Sequence, residues 1–404
     1  MTAIGQSQSA GTDANQPARR LRLGMVGGGS GAFIGAVHRI AARLDDCYEV
    51  VAGALSSDPS RALAGGAAIR LDPERCYADY REMARAEALR PDGIDVVAIV
   101  TPNHLHAPVA TAFLEAGIHV ICDKPLGVST AEGEQLAALA RANNRVFALT
   151  HTYSGYPMVR HARELVASGA IGDVRQVHVE YAQDWMADEA NQAPAFQASN
   201  WHNDPERAGP TGCTSDIGTH AFHIAGYVAG IQPSEILAEL HAFTPERILD
   251  DHMQAMLRYP NGARGTLWAS QMAAGCENGL KLRVFGSKAS LAFDQENPNE
   301  LWLTPQGGAA TRLTRGRVAG AAAQHATRVP PGHPEGYLEA FAQLYRDAAA
   351  WIHAVDAGQP APGAAAWLPT VEDGVAGMRF IDAVLASHRA GSRWVPIQYR
   401  SLST

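Results

Sequence analysis

Three side chains in this sequence have types and spacings that could move a proton at a substrate oxygen. Lys124 lies in Asp123-Lys124-Pro125, directly after an apolar run, and Asp216 and His220 stand four residues apart. A spacing of four puts two side chains on one face of a helix. Histidine is the side chain best poised for proton transfer near neutral pH. A lysine at a strand end can hydrogen-bond a reacting oxygen and stabilise negative charge developing on it. His220 is therefore the expected proton acceptor, Lys124 the electrostatic stabiliser and relay partner, and Asp216 a hydrogen-bond acceptor for substrate. At this level the Lys124 and His220 roles are interchangeable. Taken singly, each has a plainer explanation: such an Asp/His pair is commonly a surface pair, and Lys-Pro after a strand is commonly a turn. A zinc site from Asp216, His220 and His223 is possible by residue type. No Cys/His spacing elsewhere supports one, and no metal is expected.

The stretch that would position this set is Leu21–His38, LRLGMVGGGSGAFIGAVH. An apolar run stops at Gly27, Gly28 and Gly29, and a helical pattern resumes near Gly35. Strand, glycine turn and helix in that order open a dinucleotide-binding unit. The turn's backbone must approach a pyrophosphate closely, and the helix N-terminus offers free N–H groups to the anion. Five residues, Ser30 to Ile34 (with Phe33 among them), separate Gly29 from Gly35, which reads as an enlarged phosphate loop with Gly31 absorbing the extra turn. Further strands are expected at Tyr48–Leu55, Ile94–Val100, His119–Cys122 and Arg145–Leu149, with helices at about Pro108–Ala116 and Thr130–Ala142. That alternation indicates a parallel sheet covered on both faces, with ligands beyond the carboxyl ends of its strands. Gly27–Gly29, Thr101-Pro102-Asn103 and Asp123-Lys124-Pro125 mark those ends.

After about residue 150 the texture changes. Met253–Tyr259 and Arg264–Gln271 flank an Asn-Gly turn and read as a hairpin, and Lys281–Phe285 with Lys288–Phe293 reads as a second. Val174–Tyr181 and Glu235–Ala242 add strands, Gln306–Gln324 reads as a loose loop, and Tyr337–Ala354 and Val371–His388 as closing helices. The expected fold is α/β: a disordered tail over 1–20, a Rossmann domain over 21–150, and an α+β domain with an open, mostly antiparallel sheet over 151–404.

Composition bounds the partners. The 404 residues carry a net charge of −8, with no basic block longer than Arg19-Arg20, which disfavours nucleic acid and anionic membrane. No apolar run approaches the ~20 residues of a membrane helix. Five scattered cysteines (Cys47, Cys76, Cys122, Cys213, Cys276) without CxxC spacing, and a polar N-terminus without an apolar signal core, fit a cytoplasmic protein.

Two stretches make a family resemblance specific. Ala116–Ala140 (AGIHVICDKPLGVSTAEGEQLAALA) resembles the signature of the Gfo/Idh/MocA oxidoreductases, and Gly209–Val228 (GPTGCTSDIGTHAFHIAGYV) resembles their second signature. With the glycine turn and Thr101–His106 (TPNHLH), the resemblance spans about residues 21–390. It implies that Lys124, Asp216 and His220 form the catalytic set, and that His106 lies with the cofactor. It also implies hydride transfer between nicotinamide and a secondary hydroxyl of a sugar, glycoside or cyclitol, with the second domain binding substrate and pairing subunits in a homodimer or homotetramer. Some relatives use the same chemistry transiently, through a 3-keto intermediate, as NAD-dependent glycosidases; sulfoquinovosides are one substrate class among them. A catalytically dead dinucleotide sensor is a third reading, against which the three retained residues argue.

For the cofactor, the position after the second strand holds Ser56 and Ser57, then Asp58, with Arg61 further on. Ser and Arg would suit a 2′-phosphate, whereas Asp58 would repel it, so NAD is favoured over NADP. For substrate, Asp184-Trp185 and Asn200-Trp201-His202 offer aromatic platforms with polar neighbours that suit a sugar ring. Many relatives carry an Asn-Tyr-Arg run where this chain has Thr152-Tyr153-Ser154, which keeps Tyr153 and lacks the Arg. His333, in Gly332-His333-Pro334-Glu335, either reaches the pocket or belongs to a plain turn before a helix. His104 and His151 are further candidates only where they flank strand ends.

Overall fold

A computed structural model describes residues 19–29, 31–193, 200–244 and 247–399. Five parallel strands form the first sheet: β1 (Leu21–Gly27), β2 (Tyr48–Ala54), β3 (Val96–Val100), β4 (His119–Cys122) and β5 (Phe147–Leu149), in the order β2-β1-β3-β4-β5. β3, β4 and β5 are buried throughout, as strands covered on both faces must be. The helices that cover them are α1 (Phe33–Leu44), α2 (Pro59–Ala68), α3 (Tyr80–Leu89), α4 (His106–Glu115) and α5 (Thr130–Ala142). The order reverses between β1 and β3, so the crevice beyond their carboxyl ends is where an open α/β sheet takes its ligand.

Helix α6 (Pro157–Ala167) leads into the second sheet. Its nine strands include β6 (Val174–Ala182), β7 (Glu235–His241), β8 (His252–Arg258), β9 (Arg264–Ser270), β10 (Gly279–Gly286) and β11 (Ala289–Asp294). β12 (Glu300–Pro305), β13 (Thr311–Thr314) and β14 (Val395–Pro396) complete it. Both expected hairpins are present as antiparallel pairs, β8 with β9 and β10 with β11, while β6 and β9 run parallel at the centre. Alternate residues of β6 (Val177, Val179, Tyr181) and β9 (Leu267, Ala269) point inward onto α7 (Thr219–Ala229), leaving the other face open.

The stretch read as a loose loop, Gln306–Gln324, is ordered. It contains β13 and the start of α8 (Ala321–Ala326), whose Ala322 N–H donates to Glu164 of α6 at 2.7 Å. Its Gly, Ala and Arg composition has no period, and the order comes from partners distant in sequence, including the buried Arg315–Glu335 pair at 2.9 Å. Helix α9 (Tyr337–Asp356) turns back onto the first sheet and packs along α1, while α10 (Val371–Arg389) lies between α5 and β7. Arg19 and Arg20, placed in the tail by composition, pair with Asp95 and Asp46 at 2.7 and 2.6 Å; the rest of that tail lies outside the described residues.

Candidate active site

The glycine turn forms as its sequence requires. Gly27 and Gly28 have φ of +78° and +65°, and Gly31 has +84°. A Cβ on Gly27 would run into the Val100 carbonyl, and one on Gly35 into the Gly28 carbonyl, so α1 approaches the turn more closely than any side chain permits. A Cβ on Gly29 would sit 2.7 Å from the Leu55 carbonyl, bringing the end of β2 against the same turn. Ser30 lies outside the described residues. Beyond β2, Asp58 caps α2 by accepting from Arg61 N–H at 2.8 Å, and Ser56 Oγ accepts from Asp58 N–H at 3.2 Å. At the end of β3 the Thr101 hydroxyl is buried without a partner. A backbone cradle open to a pyrophosphate, beside an unpaired hydroxyl, fits a dinucleotide.

Next to this cradle lies a cavity of about 720 Å³ between the two sheets. Its wall includes Phe33, Ile34, Thr101, Asn103, Asp123, Lys124 and Pro125 from the Rossmann side. Tyr153, Trp185, Trp201, His202, Asp216 and His220 line it from the other. Three expected residues are elsewhere. Asp184 turns away, its carboxylate accepting from Gly275 N–H at 3.0 Å. His333 is exposed on a turn that Arg315 clamps through the His333 carbonyl, which is why its ring does not reach the pocket. His106 is buried behind the wall, its ring nitrogens 2.6 Å from the Pro125 carbonyl and 2.8 Å from that of Thr101, so it ties two strand ends together. Pro102 opens the short turn Asn103–Leu105, and the Asn103 amide donates to Ala208 O at 2.8 Å.

Lys124 and Asp216 meet at the centre. The Lys124 ammonium donates to Asp216 Oδ1 at 2.6 Å and to its carbonyl at 2.8 Å, leaving one donor free. Burial pushes the Lys124 pKa down, but the charges of Asp216 and Asp123 outweigh it, and the net shift is upward. Burial likewise raises Asp216, yet Lys124 and then His202 overcome it and bring the carboxyl to about 2. Asp216 Oδ2 accepts from the Gln271 amide at 2.8 Å. Asp123 Oδ1 accepts from Thr150 Oγ at 2.7 Å and from Lys124 N–H at 3.0 Å.

The helix carrying Asp216 and His220 is not regular. Thr214–Gly218 is a π-turn and α7 follows it, a geometry found often at functional sites. Asp250 holds its start, accepting from Gly212 N–H at 2.6 Å, Thr214 N–H at 2.9 Å and Thr214 Oγ at 2.7 Å. His220 packs edge-on against Tyr153 and His151, with ring centroids 4.8 and 5.5 Å away. Its Nδ1 is buried without a partner, leaving Nε2 for a ligand. Burial, reinforced by the Lys124 charge, holds its pKa well below the ordinary imidazole value. His223 stacks on His151 at 4.1 Å and faces Asp373, so it is spent within the packing.

Residue types alone did not mark Tyr181, Gln183, Gln271 or Asn278 as parts of the wall. Tyr153 and Tyr181 share a short hydroxyl contact, and Tyr181 donates to Asn278 Oδ1 at 2.7 Å. The Gln183 amide reaches the same oxygen at 2.9 Å. A signal for them exists: Tyr181 and Gln183 continue the inward-facing alternation of β6, and Gln271 that of β9, so each apolar row ends on a polar group. Opposite, Trp201 stacks on His202 at 3.7 Å, with Trp185 6.5 Å from His202.

A Rossmann cradle opening onto a Lys/Asp/His cluster beneath a second sheet defines a two-domain, dinucleotide-dependent oxidoreductase. The chain belongs to the Gfo/Idh/MocA oxidoreductase family: residues 21–151 match its NAD-binding Rossmann fold and residues 159–292 its C-terminal domain. It is 36% identical over 380 residues to an uncharacterized oxidoreductase of Bacillus subtilis, covering 93% of this chain and 96% of that one. Levoglucosan dehydrogenase of Pseudarthrobacter phenanthrenivorans is 32% identical over 311 residues, 70% of this chain and 76% of that enzyme. An inositol dehydrogenase homolog from Azotobacter vinelandii, solved with NADH and myo-inositol, superposes with a TM-score of 0.86 at 36% identity, over 94% of this chain and 98% of that one. The protein is thus an NAD-binding enzyme of the oxidoreductase class. Among the described residues no helix is long and apolar enough to cross a membrane.

Proposed function

We propose that the protein oxidises a secondary hydroxyl of a sugar, glycoside or cyclitol. The observation that carries the reading is the Lys124–Asp216 pair beside His220 in one cavity, next to the glycine cradle. NAD, when bound, supplies the hydride acceptor. His220 takes the hydroxyl proton on Nε2, since its depressed pKa keeps the ring neutral in the resting site. Lys124 stays protonated and directs its free donor at the reacting oxygen, stabilising the charge that grows as the proton leaves. Asp216, fixed by Lys124 and Gln271, orients that ammonium and accepts from a neighbouring hydroxyl. Trp185 and Trp201 offer flat surfaces to the ring, and Tyr153 faces it from the side of β5. The relatives that act on levoglucosan and bind myo-inositol support this substrate range. Incubating the protein and NAD with a polyol and glycoside panel tests it, with nicotinamide absorbance read beside product chromatography. Net NADH with an oxidised product is expected; cleaved glycoside without net NADH would replace the reading with redox-neutral glycoside cleavage.

The open face of the second sheet carries Trp268, Trp302 and Met256 outward, the last two 44% and 52% exposed. A half-apolar sheet face of this extent suits a second copy of the chain. Light scattering at micromolar concentration should give a dimer or tetramer, and a clean monomer would exclude it.

A further inference from the structure

The charges around the cavity are lopsided. Its wall carries four carboxylates, Asp123, Asp216, Asp250 and Glu277, and a single ammonium, Lys124; no arginine is part of it among the described residues. Lys124 is committed, with two donors on Asp216 and the third assigned to the reacting oxygen under the dehydrogenase reading. Asp123, Asp216 and Asp250 are each hydrogen-bonded within the wall, whereas Glu277 is exposed at its edge, beside Asn278.

The other polar groups include two imidazoles, His202 and His220, which burial holds below their ordinary pKa, and amides and hydroxyls such as those of Gln183, Gln271, Asn278 and Tyr181. Amides both donate and accept, which matches hydroxyl groups that do the same. A carboxylate, phosphate or sulfonate only accepts, and on leaving water it needs a cation or several donors, for which arginine is the usual choice. Among the described residues this wall supplies no arginine and no cation besides Lys124.

Building on the dehydrogenase reading, we infer that the site selects uncharged polyhydroxylated rings and turns away sugar acids, phosphates and sulfonates, with Glu277 setting the sign of its mouth. The inference narrows the substrate range and sets sulfoquinovosides outside it. Glu277 is a specificity-determining residue here and takes no part in the chemistry.

The experiment compares D-glucose with D-glucuronate and glucose 6-phosphate, and myo-inositol with myo-inositol 1-phosphate, as substrates with NAD and as ligands of the NADH complex. Within each pair the neutral ring is expected to exceed its anion in kcat/KM by about 10²-fold or more, the size of effect an unpaired buried charge produces. Glu277→Arg should narrow that ratio by about tenfold, and Glu277→Gln by less. Added salt should narrow it for the wild type alone, since an exposed charge is screened. Anions turned over as well as neutral rings, or a ratio indifferent to Glu277→Arg, would overturn the inference. Should no probe reduce NAD, the dehydrogenase reading fails, and the ligand arm still decides charge selection: neutral rings bound over anions support it, and equal or reversed binding ends it.

Discussion

The two walls of the site are held by different means. On the Rossmann side the backbone does the positioning: Gly27, Gly28 and Gly35 let α1 close on the turn, and Thr101 and Lys124 stand within two residues of strand ends. On the other side, side chains position side chains. Asp250 holds the π-turn, Gln271 holds Asp216, and Tyr181, Gln183 and Asn278 form one cluster behind Tyr153. A backbone-built wall tolerates no added atom but depends little on any one polar group. A side-chain-built wall should fail gradually, one hydrogen bond at a time. The largest test lies where the walls meet. His220→Gln keeps a polar side chain but lacks the basic nitrogen, and turnover should fall by roughly 10²–10⁴, with NADH affinity nearly unchanged. The wild-type acid limb should lie below the ordinary imidazole range, following the depressed His220 pKa, and should vanish or move in the variant. A variant with wild-type turnover would shift the proton to Lys124.

The backbone-built wall is challenged by Gly35→Ala. The new methyl meets the Gly28 carbonyl, and overpacking of that kind costs about 1–3 kcal/mol. NADH binding should weaken by about 10–100-fold in a fluorescence titration. Unchanged affinity would show that the turn can yield, and that its closeness is incidental.

The side-chain-built wall is challenged by Asp250→Asn. One carboxylate accepts three hydrogen bonds there, and an amide must turn its NH₂ toward a donor. The loss should reach the chemistry through Asp216, lowering kcat about tenfold while leaving NADH affinity intact, in line with about 1–3 kcal/mol for an unsatisfied buried group. A fall in thermal stability with kcat preserved would reduce Asp250 to a structural brace.

The same contrast explains what could be read from residues alone. The glycine turn, the Rossmann strands and the Asp/Lys/Pro stretch are local patterns, in which chain neighbours do the positioning, and each was legible with its boundaries nearly correct. Gln271, Asn278 and Asp250 come from separate strands and loops and meet because β10, β6, β9 and β8 lie side by side in that order. His333 shows the converse: its neighbours suggested a pocket residue, while Arg315, eighteen positions earlier, fixes the turn elsewhere. The π-turn at Asp216 was invisible for the same reason, since the carboxylate that holds its start lies 36 residues away in the chain.

The smallest expected effect concerns pH and the imidazoles buried behind His220. Burial holds His151, His220 and His223 below the value they recover in the unfolded chain, His223 at about 4. Between about pH 6.5 and 4 the unfolded chain therefore binds more protons, so stability rises with pH there and is lost on acidification. Asp216, at about 2, loses its contribution only below about pH 4, whereas Asp250, whose carboxyl is raised by burial, acts with the opposite sign from about pH 4 upward. In that upper window three lowered histidines oppose the single raised carboxyl of Asp250. His223→Leu removes one titrating ring from the stack with His151, and its melting temperature should fall less steeply between pH 7 and 5 than that of the wild type. A difference of a few degrees is expected, read by scanning calorimetry in buffers of matched ionic strength. Parallel wild-type and variant curves would mean that His223 is protonated in the folded protein, with Asp373 closed on its ring; a second variant, Asp373→Asn, separates that outcome by restoring the divergence.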